Sequence, residues 1–403
     1  MFLIPIHLGI FLSLFVEINV VIGMQCERCK NTDPKYFAYD HGIYYCRKCI
    51  AFGRLDVGEK PKVPQVSHVV YKKGYHLDFE MTALQKAAAE KTLTYLKQEK
   101  SVFVYAATGA GKTEMTLESI SYYLSQGKKV GFAISRRQVV LEICQRLKKA
   151  FPSLSVIAVT QGYTDIVDGD LIVCTTHQLY RYPYTFDLLI MDEVDAFPYA
   201  NNDLLQEIAQ QACIGQFLYL SATPDVFSLE QIQAGKMEMV TLFKRPHGHP
   251  LILPVVHKGS IWIQIFWIFY YCNKWKNKQV LLFMPTKREV QLFYRFFACF
   301  YSCAYIHSAS QDKDEIMAKF HQKAFRILLC TTLLERGITV PSVQVIVYRA
   351  DHPVFTCASL IQIYGRVGRS FKDPEGEGVC LCQSVNPSIQ DCLKQLRQMN
   401  QSV

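Results

Sequence analysis

The segment from Tyr105 to Thr113, with the sequence YAATGAGKT, places the strongest constraint on how this chain folds. It follows an apolar run at residues 102–104 that is typical of a buried strand, and we predict that a helix starts at Glu114. A strand, a glycine-rich turn ending in Lys-Thr and a helix together cradle phosphate with backbone N–H groups. The segment therefore predicts an α/β domain that binds a nucleoside triphosphate.

The residues of this loop have separate predicted roles. Lys112 is positioned to contact the β- and γ-phosphates, and the Thr113 hydroxyl is positioned to ligate Mg²⁺. Ala106 stands where the usual pattern has its first glycine, and a chance glycine-rich turn is the alternative interpretation. The predicted nucleotide-binding residues of the loop are Thr108, Gly109, Ala110, Gly111, Lys112 and Thr113.

Length and charge limit the possible organisation and partners. A chain of 403 residues is expected to hold two or three domains. The formal net charge is +9, and residues 24–75 carry ten Lys and Arg against five Asp and Glu. This excess favours a polyanionic partner, either nucleic acid or anionic lipid, although a merely solvated basic surface is the alternative.

Two apolar stretches raise the question of a membrane. Residues 1–23 are long enough to span a bilayer but are interrupted by Glu17 and Asn19. One hypothesis is a membrane anchor that leaves the rest of the chain cytoplasmic, and the other, which we favour, is an over-extended start with Met24 as the first residue. The second stretch, Ile261 to Cys272, is too short to span a bilayer and is predicted as a buried amphipathic helix.

Four of the fifteen cysteines form a pattern typical of zinc sites. Cys26 and Cys29 make one C-x-x-C pair, and Cys46 and Cys49 make a second pair sixteen residues later. Four thiolates complete a tetrahedral site with no position left for a catalytic water, so the predicted zinc is structural. A pair of disulfides is the alternative. The other eleven cysteines lie mostly in apolar segments and are interpreted as core residues in a reducing compartment.

We interpret residues 24–53 as a zinc-binding module and residues 54–77 as a linker. Gly42 is predicted to lie at a hairpin turn or a bulge between two short strands, which fall between the two cysteine pairs. The aromatic residues of segment 35–45 have two open interpretations. They either stack on unpaired bases beside nearby Lys and Arg side chains, or form the small core of the module.

Further motifs follow the P-loop in a fixed order. A predicted strand at 187–191 ends in Asp192 and Glu193, which we interpret as the Mg²⁺ ligand and as the residue that orients or deprotonates the attacking water. Another predicted strand, 217–220, precedes Ser221.

A second set of strand patterns indicates a second parallel sheet. The predicted strands are 280–284 and 325–330. They are followed by Arg366 and Arg369, whose guanidinium groups can stabilise the charge of a transferring phosphoryl group. Strand and helix patterns alternate in both halves of the chain, which predicts two α/β domains.

This order of motifs resembles the superfamily 2 helicases and translocases. The resemblance implies two tandem RecA-like parallel-sheet domains, at residues 78–245 and 246–403, preceded by the zinc module, with ATP in the cleft between them. It also implies roles for individual residues. Gln85 contacts adenine, and Gln362 joins Arg366 and Arg369 at the cleft. The residues that couple hydrolysis to movement are Asp195, Ser221, Thr223 and Gly337, and those that grip nucleic acid are Arg136, Thr175, Thr176, Thr331 and Thr332.

A closer resemblance is to the ComFA family of late-competence ATPases. It depends on the four cysteines before the motor, on TTHQL at 175–179, on DEVDAFP at 192–198 and on LLERG at 333–337. The resemblance implies an ATP-driven motor on single-stranded DNA that acts in uptake of transforming DNA. It implies ATP, Mg²⁺ and Zn²⁺ as cofactors and a cytoplasmic location at the inner face of the membrane. The implied partners are the membrane DNA-uptake channel and a phosphoribosyltransferase-like competence protein. Ser135 departs from the family, which commonly has proline there.

Three alternative functions differ from this interpretation at particular residues. In a primosome-type replication-restart helicase the cysteines interrupt the second motor domain, whereas here they precede the first. RNA helicases of the DEAD-box group usually have Asp at the position of Thr339. A non-enzymatic nucleic-acid-binding adaptor does not need Lys112, Asp192, Glu193, Arg366 and Arg369 together.

Overall fold

Two large β-sheets form the framework of the computed structural model, which describes residues 23–332, 342–371 and 373–401. The chain divides into two compact units, Met1–Leu77 with Ile120–Tyr219 and Asp78–Ser119 with Leu220–Val403. The domain bounds that the sequence predicts follow a different division and stay a prediction. The apolar segment 1–23 lies outside the described residues except for Gly23. Of the helices in the described ranges, none is long and apolar enough to cross a membrane.

The four-cysteine module is built on a short hairpin. Strands β1 (Phe37–Asp40) and β2 (Ile43–Cys46) pair antiparallel, with Phe37 opposite Cys46. His41 and Gly42 form the connection with φ of 48° and 86°, as a two-residue turn with the twist of a hairpin requires. The predicted hairpin at Gly42 is confirmed.

The first large sheet has the strand order β5-β6-β4-β7-β8-β3-β9. Strand β4 pairs parallel with β6 and β7, β5 pairs parallel with β6, and β3 pairs parallel with β9. Every residue of β4 and β6 is buried, because helices cover both faces of such a sheet. The strands are β3 (Ser101–Ala106), β4 (Val130–Ile134), β5 (Val156–Val159), β6 (Leu171–Thr175), β7 (Phe186–Asp192), β8 (Cys213–Ser221) and β9 (Met237–Leu242).

Helices lie between these strands in the chain, as the alternating pattern predicts. The first helix begins with a capping box, in which Thr82 and Gln85 each bond the backbone of the other. The helices are α1 (Ala83–Lys97), α2 (Lys112–Ser125), α3 (Arg137–Ala150), α4 (Asp203–Ala212) and α5 (Val226–Gln233). A 3₁₀ helix, Thr176–Arg181, follows β6 directly.

The second large sheet is parallel throughout and has the order β10-β15-β14-β11-β13-β12. Its strands are β10 (Val255–Lys258), β11 (Gln279–Phe283), β12 (Cys303–Ile306), β13 (Ile327–Cys330), β14 (Val343–Val347) and β15 (Gly378–Cys382). Its helices are α6 (Ile261–Lys274), α7 (Lys287–Phe297), α8 (Lys313–His321), α9 (Cys357–Tyr364) and α10 (Pro387–Gln401). The predicted α/β fold with two parallel sheets and a small four-cysteine module is therefore confirmed.

Helix α6 differs from its prediction on one side. The sequence predicts a buried helix, and Ile268 and Cys272 indeed lie in the core beneath it. Trp262 and Phe266 on the opposite side are 80% and 61% exposed. The predicted helix is therefore confirmed and is buried on one side only, because hydropathy does not reveal how much of a largely apolar helix the sheet covers.

The linker 54–77 is fixed to the first unit by hydrogen bonds. Lys129 is buried, and its Nζ donates to the carbonyl oxygens of Ser67 and Gly169, each at 2.6 Å. Asp168 Oδ1 lies 3.2 Å from the same Nζ. Desolvation lowers the pKa of Lys129, and these oxygens partly offset that cost. The Tyr71 N–H also donates to the Leu124 carbonyl, so the segment lies against the unit instead of hanging free.

Candidate nucleotide-binding site and four-cysteine centre

The P-loop connects β3 to α2 and adopts the conformation that its glycines permit. Gly109 and Gly111 have φ of 80° and 87°, in the left-handed region that other residues rarely enter. Helix α2 begins at Lys112, two residues before the predicted start. Gln85 Nε2 donates to the Ala110 carbonyl at 2.9 Å. The structure therefore brings the predicted adenine-contacting glutamine onto the loop, within the second unit.

The segment that carries the two predicted arginine fingers also contacts the P-loop. Thr108 Oγ1 donates to the Gly365 carbonyl at 3.3 Å. A Cβ added to Gly365 would lie 1.9 Å from Thr108 Oγ1, so no side chain fits there. The Cγ of Arg369 lies 3.3 Å from the corresponding Cβ position on Gly109. Gln362 and Arg366 are buried nearby on and after α9.

Arg245 connects the P-loop to segment 365–368 by hydrogen bonds, and the sequence analysis did not predict this residue. Its side chain is 1% exposed, and it donates to four backbone carbonyls. The acceptors are the carbonyl oxygens of Thr108 at 2.9 Å, Gly365 at 2.7 Å, Val367 at 2.9 Å and Gly368 at 3.0 Å.

The charge of Arg245 persists despite its burial. Desolvation, and secondarily the charge of Arg369, lowers the pKa of Arg245 to about 10, so it stays protonated at neutral pH. The sequence Lys244-Arg245-Pro246 matches no motif, and therefore no pattern signalled this residue.

Several predicted residues share the carboxyl edge of the first unit's parallel strands. Ile134, the last residue of β4, is level with both Thr175 and Asp192. Arg136, which precedes α3, therefore follows β4 at the edge where β6 and β7 end. Ligands of open α/β sheets bind at this edge.

The Asp192-Glu193 turn has an unusual backbone. Asp192 is buried, and its Oδ1 accepts a hydrogen bond from the Glu193 N–H at 2.8 Å. Glu193 has φ of 56°, a conformation that costs a non-glycine residue about 1–3 kcal/mol. Strain of this kind concentrates at functional sites. Asp192 lies in the first unit and Thr113 in the second, so their shared Mg²⁺ site stays a prediction.

The predicted coupling residues lie in a compact turn after β8. The Ser221 hydroxyl donates to the Thr223 carbonyl at 2.9 Å and accepts from the Thr223 N–H at 3.1 Å. Asp195 is half-buried in the turn that follows β7. Gly337 lies outside the described residues.

The predicted nucleic-acid contacts occupy strand ends in both units. Thr175 ends β6, and the side chain of Thr176 is almost fully buried. We therefore expect Thr176 to meet a phosphate through its backbone N–H and not its hydroxyl. Thr331 and Thr332 are half-buried and directly follow β13.

The four cysteine sulfurs have the spacing of a zinc site. Sγ of Cys26 lies 3.7 Å from that of Cys49, and Sγ of Cys29 lies 3.6 Å from that of Cys46. All four sulfurs lie within 4.8 Å of one another. A tetrahedron with Zn–S bonds of about 2.3 Å has sulfurs about 3.8 Å apart, so the residues fit Zn²⁺. The four are free thiols, which contradicts the alternative of disulfides.

Arg28 lies against this thiol cluster and was also missed. Its Nη1 is 3.8 Å from Cys49 Sγ and donates to the Gly53 carbonyl at 2.7 Å. Four thiolates around one Zn²⁺ carry a net charge of −2, which a neighbouring guanidinium stabilises. Hydrogen bonds from the thiols of Cys29 and Cys49 lower the pKa of Cys26, whereas the pKa values of Cys29 and Cys49 are raised, so binding of Zn²⁺ would displace protons from the cluster.

The module packs onto the segment that carries a predicted nucleic-acid motif. The Phe52 ring lies 6.4 Å from that of His177 and 5.1 Å from that of Tyr180, between centroids. Gln211 Nε2 also donates to the Glu27 carbonyl at 2.5 Å. The module's aromatic residues differ in burial, and stacking on unpaired bases stays a prediction. Phe37 lies in its core, whereas Tyr39 is 62% exposed.

Comparisons with known proteins define the class of this chain. Residues 78–226 match the family model described as type III restriction enzyme, res subunit, and residues 260–371 match the helicase conserved C-terminal domain. The fold resembles that of S. cerevisiae Dbp5 bound to RNA and ADP BeF3, with a TM-score of 0.58 and 14% identity, over 80% of this chain and 88% of that chain. The protein is an ATP-hydrolysing helicase or translocase with a RecA-like fold.

The family is established by two relatives that align with this chain over most of their length. Competence protein ComFA of Bacillus subtilis is 31% identical, with 94% of this chain aligned to 86% of that protein. Competence protein ComFA of Streptococcus pneumoniae is 32% identical, with 93% of this chain aligned to 90% of that protein. The chain belongs to the ComFA family, as its motifs predict.

Proposed function

We propose that this chain is an ATP-driven translocase of single-stranded DNA that acts in the uptake of transforming DNA. The observation that carries the proposal is the alignment of more than nine-tenths of the chain with two competence proteins. The P-loop contacts and the four-cysteine centre support it, because both belong to parts of the chain that a motor of this kind uses.

The residues around the P-loop have distinct parts in the proposed cycle. ATP with Mg²⁺ supplies the phosphoryl group whose transfer to water drives movement. Lys112 holds the β- and γ-phosphates, and Glu193 orients or deprotonates the water. Arg366 and Arg369 stabilise the charge that develops on the γ-phosphoryl group. Gly365 accepts a hydrogen bond from Thr108 of the P-loop. We therefore propose that loss of the γ-phosphate changes the position of the segment that carries both arginines.

We propose that two sets of residues contact the DNA strand in alternation during the ATPase cycle. Arg136, Thr175 and Thr176 belong to the first unit, and Thr331 and Thr332 belong to the second. We propose that hydrolysis changes which set binds the phosphate backbone, so that the strand advances. The module that packs on segment 176–181 extends the first set, and its exposed Tyr39 provides a surface for an unpaired base.

We further propose that the motor acts at the cytoplasmic face of the membrane. Its proposed partners are the DNA-uptake channel, which delivers the single strand, and a phosphoribosyltransferase-like competence protein. The basic charge of the chain suits the strand itself, since neutralising phosphates releases counterions.

The test is the ATPase rate with Mg²⁺ in the presence of single-stranded DNA, duplex DNA or RNA at one stated salt concentration. We expect strong stimulation by single-stranded DNA and weak stimulation by the other two. Equal or greater stimulation by RNA would contradict the proposal in favour of RNA remodelling. A complete lack of hydrolysis would favour the adaptor function.

A further inference from the structure

An apolar surface lies on the exposed side of α6 and α7 and of the turn that follows α7. Trp262 is 80% exposed, Leu292 64%, Phe266 61% and Phe300 60%. We call this surface the aromatic face, and its exposed members are Trp262, Ile263, Phe266, Tyr270, Leu292, Phe296 and Phe300.

The aromatic face is continuous from one helix to the next. Phe269, half-buried on α6, lies 5.9 Å from Phe296 and 5.7 Å from Phe300 between ring centroids. Trp262, Phe266 and Tyr270 follow one another at i, i+4 spacing along α6 and therefore form one stripe. The two helices thus present one patch instead of scattered apolar side chains, which are common on any protein surface.

Core packing does not account for this patch. The inner side of α6 already supplies Ile268, Tyr271 and Cys272 to the core of the second sheet. The outer side adds nothing to that core, and exposing large apolar groups to water costs about 25 cal/mol for each Å². A patch of this kind marks an interaction site.

The charges around the patch suit an anionic surface. Residues 260–300 contain six Lys and Arg and a single acidic residue, Glu289. Two of the six, Lys274 and Lys278, are paired with Glu377 and Asp373. Glu289 Oε1 is engaged by Arg349 Nη1 at 2.6 Å, so it does not oppose an approaching anion. The other four, Lys276, Lys287, Arg288 and Arg295, are exposed and lie on α7 or directly after α6.

The chemistry of the patch fits lipid better than protein. Apart from the Trp262 indole and the Tyr270 hydroxyl, its exposed members carry hydrocarbon only, whereas protein interfaces carry about one hydrogen bond per 100–200 Å². Trp and Tyr with flanking Lys and Arg are typical of helices that lie in the membrane interface. We propose that the aromatic face docks α6 and α7 onto an anionic lipid bilayer, in the plane of its headgroups.

This inference rests on the proposed location at the membrane, for which it names the docking surface, but the patch involves none of the motor residues, so the two proposals can fail separately. A peripheral contact of this kind holds the motor beside a membrane without a spanning helix. Binding strength follows from the buried apolar area together with attraction to anionic headgroups.

The experiment measures binding of the full chain to vesicles of phosphatidylglycerol mixed with phosphatidylethanolamine, by flotation and by tryptophan emission. Trp262 is the reporter, since Trp267 stacks on His257 at 3.7 Å and Trp275 is buried. We expect binding and a blue shift of the emission. The variant Trp262→Ser/Phe266→Ser should bind more than about tenfold more weakly, and Arg295→Gln about fivefold more weakly.

The matched control is Val226→Ser/Phe227→Ser, which removes two exposed apolar side chains from α5 and should bind as the wild type does. The ATPase rate with single-stranded DNA should be the same in the aromatic-face variant and the wild type. Equal vesicle binding by that variant and the wild type would overturn the inference. The inference would also be overturned if the wild-type chain did not bind vesicles and instead self-associated through this face, as measured by sedimentation velocity. Neither result would touch the motor function, which the ATPase rate reports separately.

Discussion

Arg245 shows how much a single side chain can organise at a nucleotide site. One guanidinium satisfies carbonyls of the P-loop and of the segment after α9, with almost no exposure to water. A planar fork of five N–H donors suits this task, whereas an ammonium group reaches fewer acceptors. Arg245 is thus a positioning residue: it holds the loop and the arginine segment in register without contacting the reacting atoms.

We expect Arg245→Ala to lower the ATPase kcat about 10–100-fold with a much smaller change in the KM for ATP, because misplaced groups slow the chemical step. Arg245→Lys should restore part of the rate. The measurement is a steady-state ATP titration of both variants, alongside their thermal midpoints. If the two variants lose stability equally and keep the wild-type kcat, Arg245 is structural only.

Lys112 provides the matching test of the nucleotide site itself. Lys112→Ala removes the cation that we assign to the β- and γ-phosphates, so turnover should fall below detection. Binding of single-stranded DNA should persist, since the strand contacts belong to other residues. The measurements are phosphate release and fluorescence anisotropy with a labelled oligonucleotide. Normal DNA-stimulated hydrolysis by this variant would show that the P-loop assignment is wrong.

At the scale of elements, we expect the hairpin β1–β2 to depend on a metal ion held by its four cysteines. Its core holds little besides the four cysteines, Phe37 and Leu55, which is too small a core to fold a segment of this size alone. A structural zinc contributes about 10 kcal/mol or more to the folding of such a module. We therefore expect the module to unfold when its cysteine ligands are lost.

The variant Cys26→Ser/Cys29→Ser should lose zinc, unfold the module and weaken binding of single-stranded DNA while the motor stays folded. Metal analysis, far-ultraviolet circular dichroism and anisotropy check each part. Cys299→Ser is the control, because Cys299 is exposed on the other unit and should leave the zinc content unchanged. Unaltered zinc in the double variant would exclude these thiols as the ligands.

Elements also show how far the sequence determines the fold. Parallel strands such as β7 and β11 were predictable from the sequence because burial on both faces demands an unbroken apolar run. The P-loop was predictable because its chemistry is local to nine residues. The contacts of Arg245 and Arg28 were not predictable from the sequence. Each side chain donates hydrogen bonds to carbonyls that are distant in the sequence, and no local pattern indicates such contacts. The exposure of one side of α6 was not predictable for a related reason: hydropathy shows that a helix is apolar but not how much of its surface the sheet covers.

At the scale of the whole molecule, the net charge of +9 predicts how strand binding responds to salt. If affinity rests on phosphate contacts, it should fall about 100-fold between roughly 50 and 200 mM salt, because counterions are released on binding. Anisotropy titrations with a single-stranded oligonucleotide measure this slope, and Lys112→Ala should share it. Constant affinity over that range would mean that stacking, not phosphate neutralisation, dominates.

The hydrogen bonds along the linker change what the four-cysteine module can do. If the 24 residues of segment 54–77 were fully extended and made no contacts, they would span about 80 Å. The Val57 N–H, however, bonds the Tyr44 carbonyl, and Lys129 pins Ser67, which leaves only residues 58–66 as slack. Nine residues reach about 30 Å at most. The module is therefore held close to segment 176–181. A DNA strand that both of them contact, as we propose, would meet one at high local concentration after leaving the other.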